Sequence, residues 1–186
     1  MIFSNISAII VTKGDRDISG IVKDLPFRDI IVWDNSKEKE DSKVYGRYLA
    51  INRAKHNLIY TQDDDCIVDV HAIIKAYLGI SIVCNMPKDR RREYYDGIQL
   101  VGWGSIFHKN LALSAFKKYL DAFPLDDLFL RECDRVFTYL NRCTLVDVPI
   151  AHLDYAHGED RMGREARHGY DMKEIRRRLY TLPKNI

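Results

Sequence analysis

What the chain lacks narrows its class before any motif is considered. Its four cysteines, Cys66, Cys84, Cys133 and Cys143, include no C-x-x-C pair, so neither a zinc ribbon nor a disulfide framework is expected. A reducing, cytoplasmic setting is the simplest expectation. Charge of one sign is not in excess either, with 29 basic against 27 acidic residues and a net charge of +2, so bulk charge does not mark a nucleic-acid coat or a membrane-surface protein. No apolar run approaches the roughly 18 to 20 residues that span a bilayer, and the opening MIFSNISAIIVTKGD has no basic n-region. Secretion and membrane insertion are therefore not expected. There is no internal repeat, low-complexity tract or long linker. What remains, 46% hydrophobic and 30% charged residues over 186 positions, is the balance of one globular domain with one core.

Short, β-branched apolar runs recur in the first half, at Ile6 to Thr12, Ile30 to Trp33 and Leu58 to Thr61. Bounded by turn residues, they read as buried strands. Segments of helical length separate them, Asp17 to Leu25 and Val44 to Lys55, and this alternation predicts a mostly parallel sheet with crossover helices. Val68 to Tyr77 reads as helix, then Ile80 to Cys84 and Gln99 to Phe107 as strands. Asn110 to Phe123 and Leu128 to Leu140 carry the apolar period of amphipathic helices, and Thr144 to Val148 reads as a last strand stopped by Pro149. Beyond Leu153 apolar residues thin out. The stretch Arg161 to Arg178 holds seven basic and three acidic residues, and 154–186 is expected to be a basic lid or helix belonging to the domain formed by 1–153.

The strongest chemical signal is LIYTQDDD, a buried strand that runs directly into Asp63, Asp64 and Asp65. Parallel strands of an open α/β sheet deliver their carboxyl ends to the ligand-binding edge. Alternate residues of an extended turn can point to one side, so Asp63 and Asp65 are candidate ligands for Mg2+ or Mn2+, hard ions held by carboxylates together with substrate phosphates. The plainer alternative is a solvated turn or a helix cap. Two more strand ends bear polar groups suited to a ribose and a base: Thr12 closes the first strand, Asp34 and Asn35 the second.

This ordered series resembles the nucleotide-sugar half of the GT-A glycosyltransferases, above all the large inverting family with a D-x-D motif. Arg47 matches the helix arginine of that pattern, Ala54 its alanine, and Asp63 and Asp65 the two motif acids. GWGSIFHK at 102–109 is similar to the Gly-rich strand beside the acceptor, and RECDRVFTYLNRCTLVDVPIAH to the E-x-D helix, strand, Pro and His that follow. Small glycosyltransferase-like proteins of bacteriophages, some linked to DNA-base modification, resemble the whole chain.

The resemblance implies a single GT-A-like, Rossmann-like α/β domain that uses Mn2+ or Mg2+ and a nucleoside-diphosphate sugar, with uridine the commonest base. It implies donor contacts from Thr12, Asp34, Arg47, Asp63 and Asp64, and metal ligands from Asp63, Asp65 and either His152 or His157. Glu132 and Asp134 are the implied acids for acceptor deprotonation in an inverting transfer. At about 100° per residue they stand about 200° apart on a helix, so at most one faces a given point; Asp126 and Asp127 are alternatives, and pairing of Glu132 and Asp134 with Arg131 and Arg135 on a wet helix face is the structural alternative.

Other features carry their own readings. Gly102 and Gly104 flank Trp103 and leave its ring open to stack on an acceptor, against the commoner role of a core tryptophan. Arg161 and Arg164, with Arg167 and His168 among glycines, suit a lid closing over phosphates, against a solvated terminal helix. KDRRREYYDG at 88–97 mixes arginines with Tyr94 and Tyr95, which suits nucleic acid or an ordinary loop. The expected acceptor is a hydroxyl, with a hydroxymethylated DNA base the first to try, and a homodimer is expected to complete the acceptor side. The competing functions are a nucleotide-sugar or nucleic-acid binding module without turnover and a sugar-phosphate nucleotidyltransferase, the latter disfavoured by the single glycine in Thr12-Lys13-Gly14-Asp15.

Overall fold

The computed structural model describes residues 2–88, 91, 100–153 and 161–183, with side chains of 161–169 left aside. Eight strands and six helices follow in the order β1 (Phe3–Thr12), α1 (Ser19–Asp24), β2 (Phe27–Asp34), α2 (Gly46–Leu49), β3 (Leu58–Asp63), β4 (Cys66–Val68), α3 (Val70–Lys75), β5 (Ile82–Asn85), β6 (Ser105–His108), α4 (Lys109–Leu120), α5 (Asp127–Leu140), β7 (Cys143–Val146), β8 (Ile150–His152) and α6 (Arg161–Leu179). The main sheet has the order β2-β1-β3-β6-β5-β7. Only β6 runs against the other five, pairing antiparallel with β3 and β5.

Alternation along the central strands sorts side chains to two faces. Ile9 and Val11 of β1, Ile59 of β3 and Phe107 of β6 join Phe116, Phe129 and Phe137 under α4 and α5. Ile6, Ala8 and Ile10, with Tyr60 and Ile106, instead meet Ile21 of α1, Leu25 just beyond it and Ile73 of α3. The result is a mixed, mostly parallel sheet between two helical layers.

Several expected elements are redrawn. The helix expected over Val44 to Lys55 is three short pieces, with 3-10 turns at Lys43–Tyr45 and Ala50–Arg53 on either side of α2. Gly46 lies so close to the Trp33 indole that a Cβ would stand 2.4 Å from it. That indole N–H donates to Ser42 Oγ and Asn35 Oδ1, and the close approach directs Arg47 and Tyr48 inward. The strand expected from Gln99 begins at Ser105, because Val101 to Gly104 form a turn in which Gly104 takes φ +97°, and a Cβ there would meet Ile73 at 2.5 Å.

Two short strands were not anticipated. The helix expected from Val68 starts at Val70, capped by Asp69, because Cys66–Val68 pairs antiparallel with Ile150–His152. The C-terminal IRRRLY is not a solvated helix: Ile175 and Leu179 are fully buried, Leu182 nearly so, and Asp171 pairs with Arg131 of α5. No described helix is long and apolar enough to cross a membrane.

Candidate active site

The carboxyl ends of β1, β2 and β3 open onto one edge, where a cleft of about 550 Å3 is lined by Thr12, Gly14, Arg16, Asp34 and Lys37 among others. Its floor is held by local hydrogen bonds. Thr12 Oγ1 accepts from the Gly14 amide at 3.1 Å, and Gly14 takes φ +79° so close to Asp34 and Ser36 that a Cβ would lie 2.3 Å from Ser36 Oγ. Asp34 accepts from the Ser36 amide and hydroxyl and pairs with Lys37 at 2.7 Å. The Lys37 and Ser36 side-chain hydrogen bonds hold its carboxyl below the usual range, so it is an acceptor at neutral pH.

The three consecutive aspartates turn to three different environments. Asp64 faces the cleft wall, with Arg16 Nε at 3.9 Å. Burial pushes its carboxyl up, and Thr12 and Arg16 oppose this.

Asp63 turns the other way. Its Oδ1 accepts from Arg47 Nη2 at 2.6 Å, its amide donates to Gly102 O at 2.6 Å, and its carboxyl lies against Gly102, where a Cβ would come within 2.0 Å. Arg47, only 1% exposed, stands between Asp63 and Asp134, with Nε 3.5 Å from Asp134 Oδ1. Tyr48 donates its hydroxyl proton to the same Asp134 oxygen at 2.7 Å. Burial pushes the Asp134 carboxyl up while Arg47 and Tyr48 pull it back; burial also opposes the Arg47 charge, which Asp134 and Asp63 more than restore. Arg47 Nη1 is buried with no hydrogen-bond partner.

Asp65 joins a third group. Its Oδ1 is 3.4 Å from Cys66 Sγ and 3.9 Å from His152 Nδ1, and those two atoms are 3.8 Å apart. The register of β4 and β8 sets Cys66 opposite His152. Among the described residues this is the one cluster of three or more His, Cys, Asp or Glu able to hold a metal ion. A carboxylate, an imidazole and a thiol within reach of one point form a donor set that fits a divalent cation. Burial pushes the Cys66 thiol up, and Asp63 and Asp65 add to the shift.

Of the expected metal ligands, then, Asp65 and His152 come together, Asp63 is engaged with Arg47, and His157 lies outside the described residues. Glu132 and Asp134 join different networks: Glu132 is ion-paired with Arg135 in the interior, whereas Asp134 faces Arg47. The wet-face alternative is corrected, since Glu132, Asp134 and Arg135 are all buried and Arg131 pairs with Asp127 and Asp171. Asp126 caps α5 and pairs with Arg178. Gly104 is required by the turn and by Ile73, and Trp103 sets its ring edgewise to His152 with centroids 6.1 Å apart. The backbone at Arg161 and Arg164 begins α6, and their side chains lie outside the description. Most of 88–97 lies outside it too; Lys88 pairs with Asp147 and Arg91 donates to Met86 O. Cys66 was missed, although its place directly after the triplet was a usable signal.

No protein-family model matches the sequence, and no curated protein matches it. Solved structures do. Glucosyl-3-phosphoglycerate synthase from Mycobacterium tuberculosis, in complex with Mn2+, UDP-glucose and phosphoglyceric acid, is 11% identical and matches with a TM-score of 0.56 over 97% of this chain and 81% of that one. The same protein in complex with Mg2+ and UDP is 14% identical at a TM-score of 0.56, with the same coverage. A197 from STIV is 13% identical with a TM-score of 0.49, over 81% of this chain and 86% of that one. With its mixed sheet, its two helical layers and an acidic turn at the end of β3, this chain has the GT-A fold of the glycosyltransferases.

Proposed function

We propose that the protein transfers a sugar from a nucleoside-diphosphate sugar, with UDP the expected carrier, to an acceptor hydroxyl. The observation that carries this reading is the sequence of strand ends: Thr12 and Asp34 line the cleft, Asp64 lies beside Arg16 of its wall, and the next residue, Asp65, belongs to the cluster with Cys66 and His152. In this reading Asp34 and Thr12 take hydrogen bonds from the base or ribose, and Arg16 and Lys37 face the anionic side of the donor. Asp65 and His152 would hold a divalent cation, which when bound neutralises charge on the leaving diphosphate.

The acceptor end is assigned to the opposite side of the triplet. Asp63 is 35% exposed on its side chain, whereas Asp134 is 9% exposed, so Asp63 is the carboxylate that an incoming hydroxyl can reach. Arg47 and Asp134 hold it in place. The acceptor oxygen attacks the anomeric carbon opposite the diphosphate while its proton passes to Asp63; the new C–O bond forms as the bond to the diphosphate breaks, with inversion. A DNA base bearing a hydroxymethyl group is the first acceptor to test.

The test is a thermal-shift screen of UDP-, GDP- and CMP-sugars with and without Mn2+, followed by an assay for nucleoside-diphosphate release. A UDP-sugar should raise the melting temperature only with the metal, and Asp65→Asn should abolish that rise. A screen in which no sugar nucleotide shifts the transition overturns the reading; a shift without turnover on any acceptor assigns the chain to a binding module.

A further inference from the structure

We propose that Cys66 is a metal ligand in its own right, and that Asp65, Cys66 and His152 form a three-ligand site selective for a thiophilic divalent ion of the Zn2+ or Co2+ type over Mg2+. The proposal deepens the reading above, in which Asp65 and His152 face the donor diphosphate, by naming the class of ion.

Geometry supports it first. The three donor atoms form a triangle with sides of 3.4, 3.8 and 3.9 Å. The point equidistant from its corners lies about 2.1 Å from each, within the bond lengths of roughly 2.0 to 2.3 Å that Zn2+ makes to carboxylate, imidazole and thiolate. Donor chemistry points the same way. Mg2+ is bound through oxygen at near-octahedral geometry, whereas a thiolate selects softer ions.

The ligands are also pre-positioned. Tyr60 donates to Gln62 Oε1, and Gln62 Nε2 donates to the Cys66 carbonyl at 2.7 Å, which ties β4 to the central strand β3. The Leu153 amide donates to Asp65 O at 2.8 Å and extends the pairing past His152, whose ring meets the Trp103 edge. Three protein ligands leave a coordination position for a substrate oxygen, as in zinc sites that do chemistry. On binding, the Cys66 S–H bond breaks, the metal–sulfur bond forms and the proton leaves to solvent; the imidazole and the carboxylate donate lone pairs, and no electron is transferred.

Metal-free full-length protein titrated with Co2+ tests this. A near-ultraviolet thiolate-to-cobalt charge-transfer band is expected, displaced by Zn2+ and not by Mg2+. Cys66→Ser should lose the band and weaken Zn2+ binding by at least about 10 to 100-fold, the loss that outer-sphere partners alone produce. Cys143→Ser, at the partly exposed cysteine, should keep it. His152→Gln, which leaves the buried Cys66 in place, should weaken Zn2+ to a similar extent and decides the matter if Cys66→Ser does not fold. Absence of the band in wild-type protein, its persistence in Cys66→Ser, or unchanged Zn2+ affinity in His152→Gln overturns the proposal. A Mn2+-dependent shift with UDP-sugar in protein that shows no band would overturn the thiolate ligand alone; a band without any sugar-nucleotide binding would overturn the donor reading alone.

Discussion

Asp63 and Asp65 stand two residues apart in the same turn, yet one meets a buried arginine and the other a thiol and an imidazole. Asp63 meets an arginine with 1% of its side chain exposed, backed by a second carboxylate and a tyrosine hydroxyl. Asp65 meets a thiol and an imidazole whose ring is partly exposed. The difference lies in what the sheet places behind each residue: the α2 turn and α5 supply countercharge to the first, and the β4–β8 ribbon supplies coordinating atoms to the second. Identical side chains therefore close an ion pair in one case and join a candidate coordination site in the other.

Substitutions separate the two sides. Arg47→Ala leaves Asp63 and Asp134 facing each other without their cation, and should lower stability by about 3 to 5 kcal/mol in urea unfolding, the cost of breaking a buried pair from one side. Gly102→Ala drives a methyl into the Asp63 carboxyl and should cost about 1 to 3 kcal/mol, with the acceptor side misplaced in any turnover assay. Tyr48→Phe removes the hydroxyl donor from buried Asp134 and should cost about 1 to 3 kcal/mol in the same measurement. On the other side, Asp65→Asn keeps the size of a buried side chain and removes no arginine pair, so it should cost about 1 kcal/mol, less than Arg47→Ala, while abolishing metal-dependent donor binding. If Asp65→Asn proves as destabilising as Arg47→Ala, the contrast between the two acids collapses.

The smallest effect concerns the aspartate between them. Burial raises the Asp64 carboxyl in the folded protein above its ordinary value of 3.8, so the native state binds the more protons and stability declines as pH rises from 3.8 through the folded titration. Asp64→Asn should thus raise the metal-free melting temperature slightly at neutral pH. The gain should vanish below about pH 3.8, where the wild-type residue is neutral in both states.

Much of this arrangement was legible in the residues. The strands ending at Thr12, Asp34 and Asp63 are apolar runs that halt on polar groups, and both faces of such runs are covered, which makes them easy to see. The amphipathic α4 and α5 were readable for the same reason. The β4–β8 ribbon was not: each strand is three residues long, below the length at which alternation can be counted, and its partner lies more than eighty residues away. With the ribbon went Cys66, since its nearness to His152 is a matter of register. The broken helix around Arg47 escaped because its course is dictated by the Trp33 indole pressed on Gly46, a contact that no local pattern encodes. The docking of α6 was hidden behind its arginines, with Ile175 and Leu179 too sparse to mark an apolar stripe.

The reversed strand β6 has a bearing on how the chain is made. It lies between β3 and β5 and joins the two parallel groups, so while a ribosome is still adding residues before Ser105, β3 carries one edge with no neighbour. An open edge of that kind invites pairing with other nascent chains. Pairing of that edge must wait for a segment about forty residues downstream of the acidic turn, and until it emerges the edge is one that a chaperone would protect.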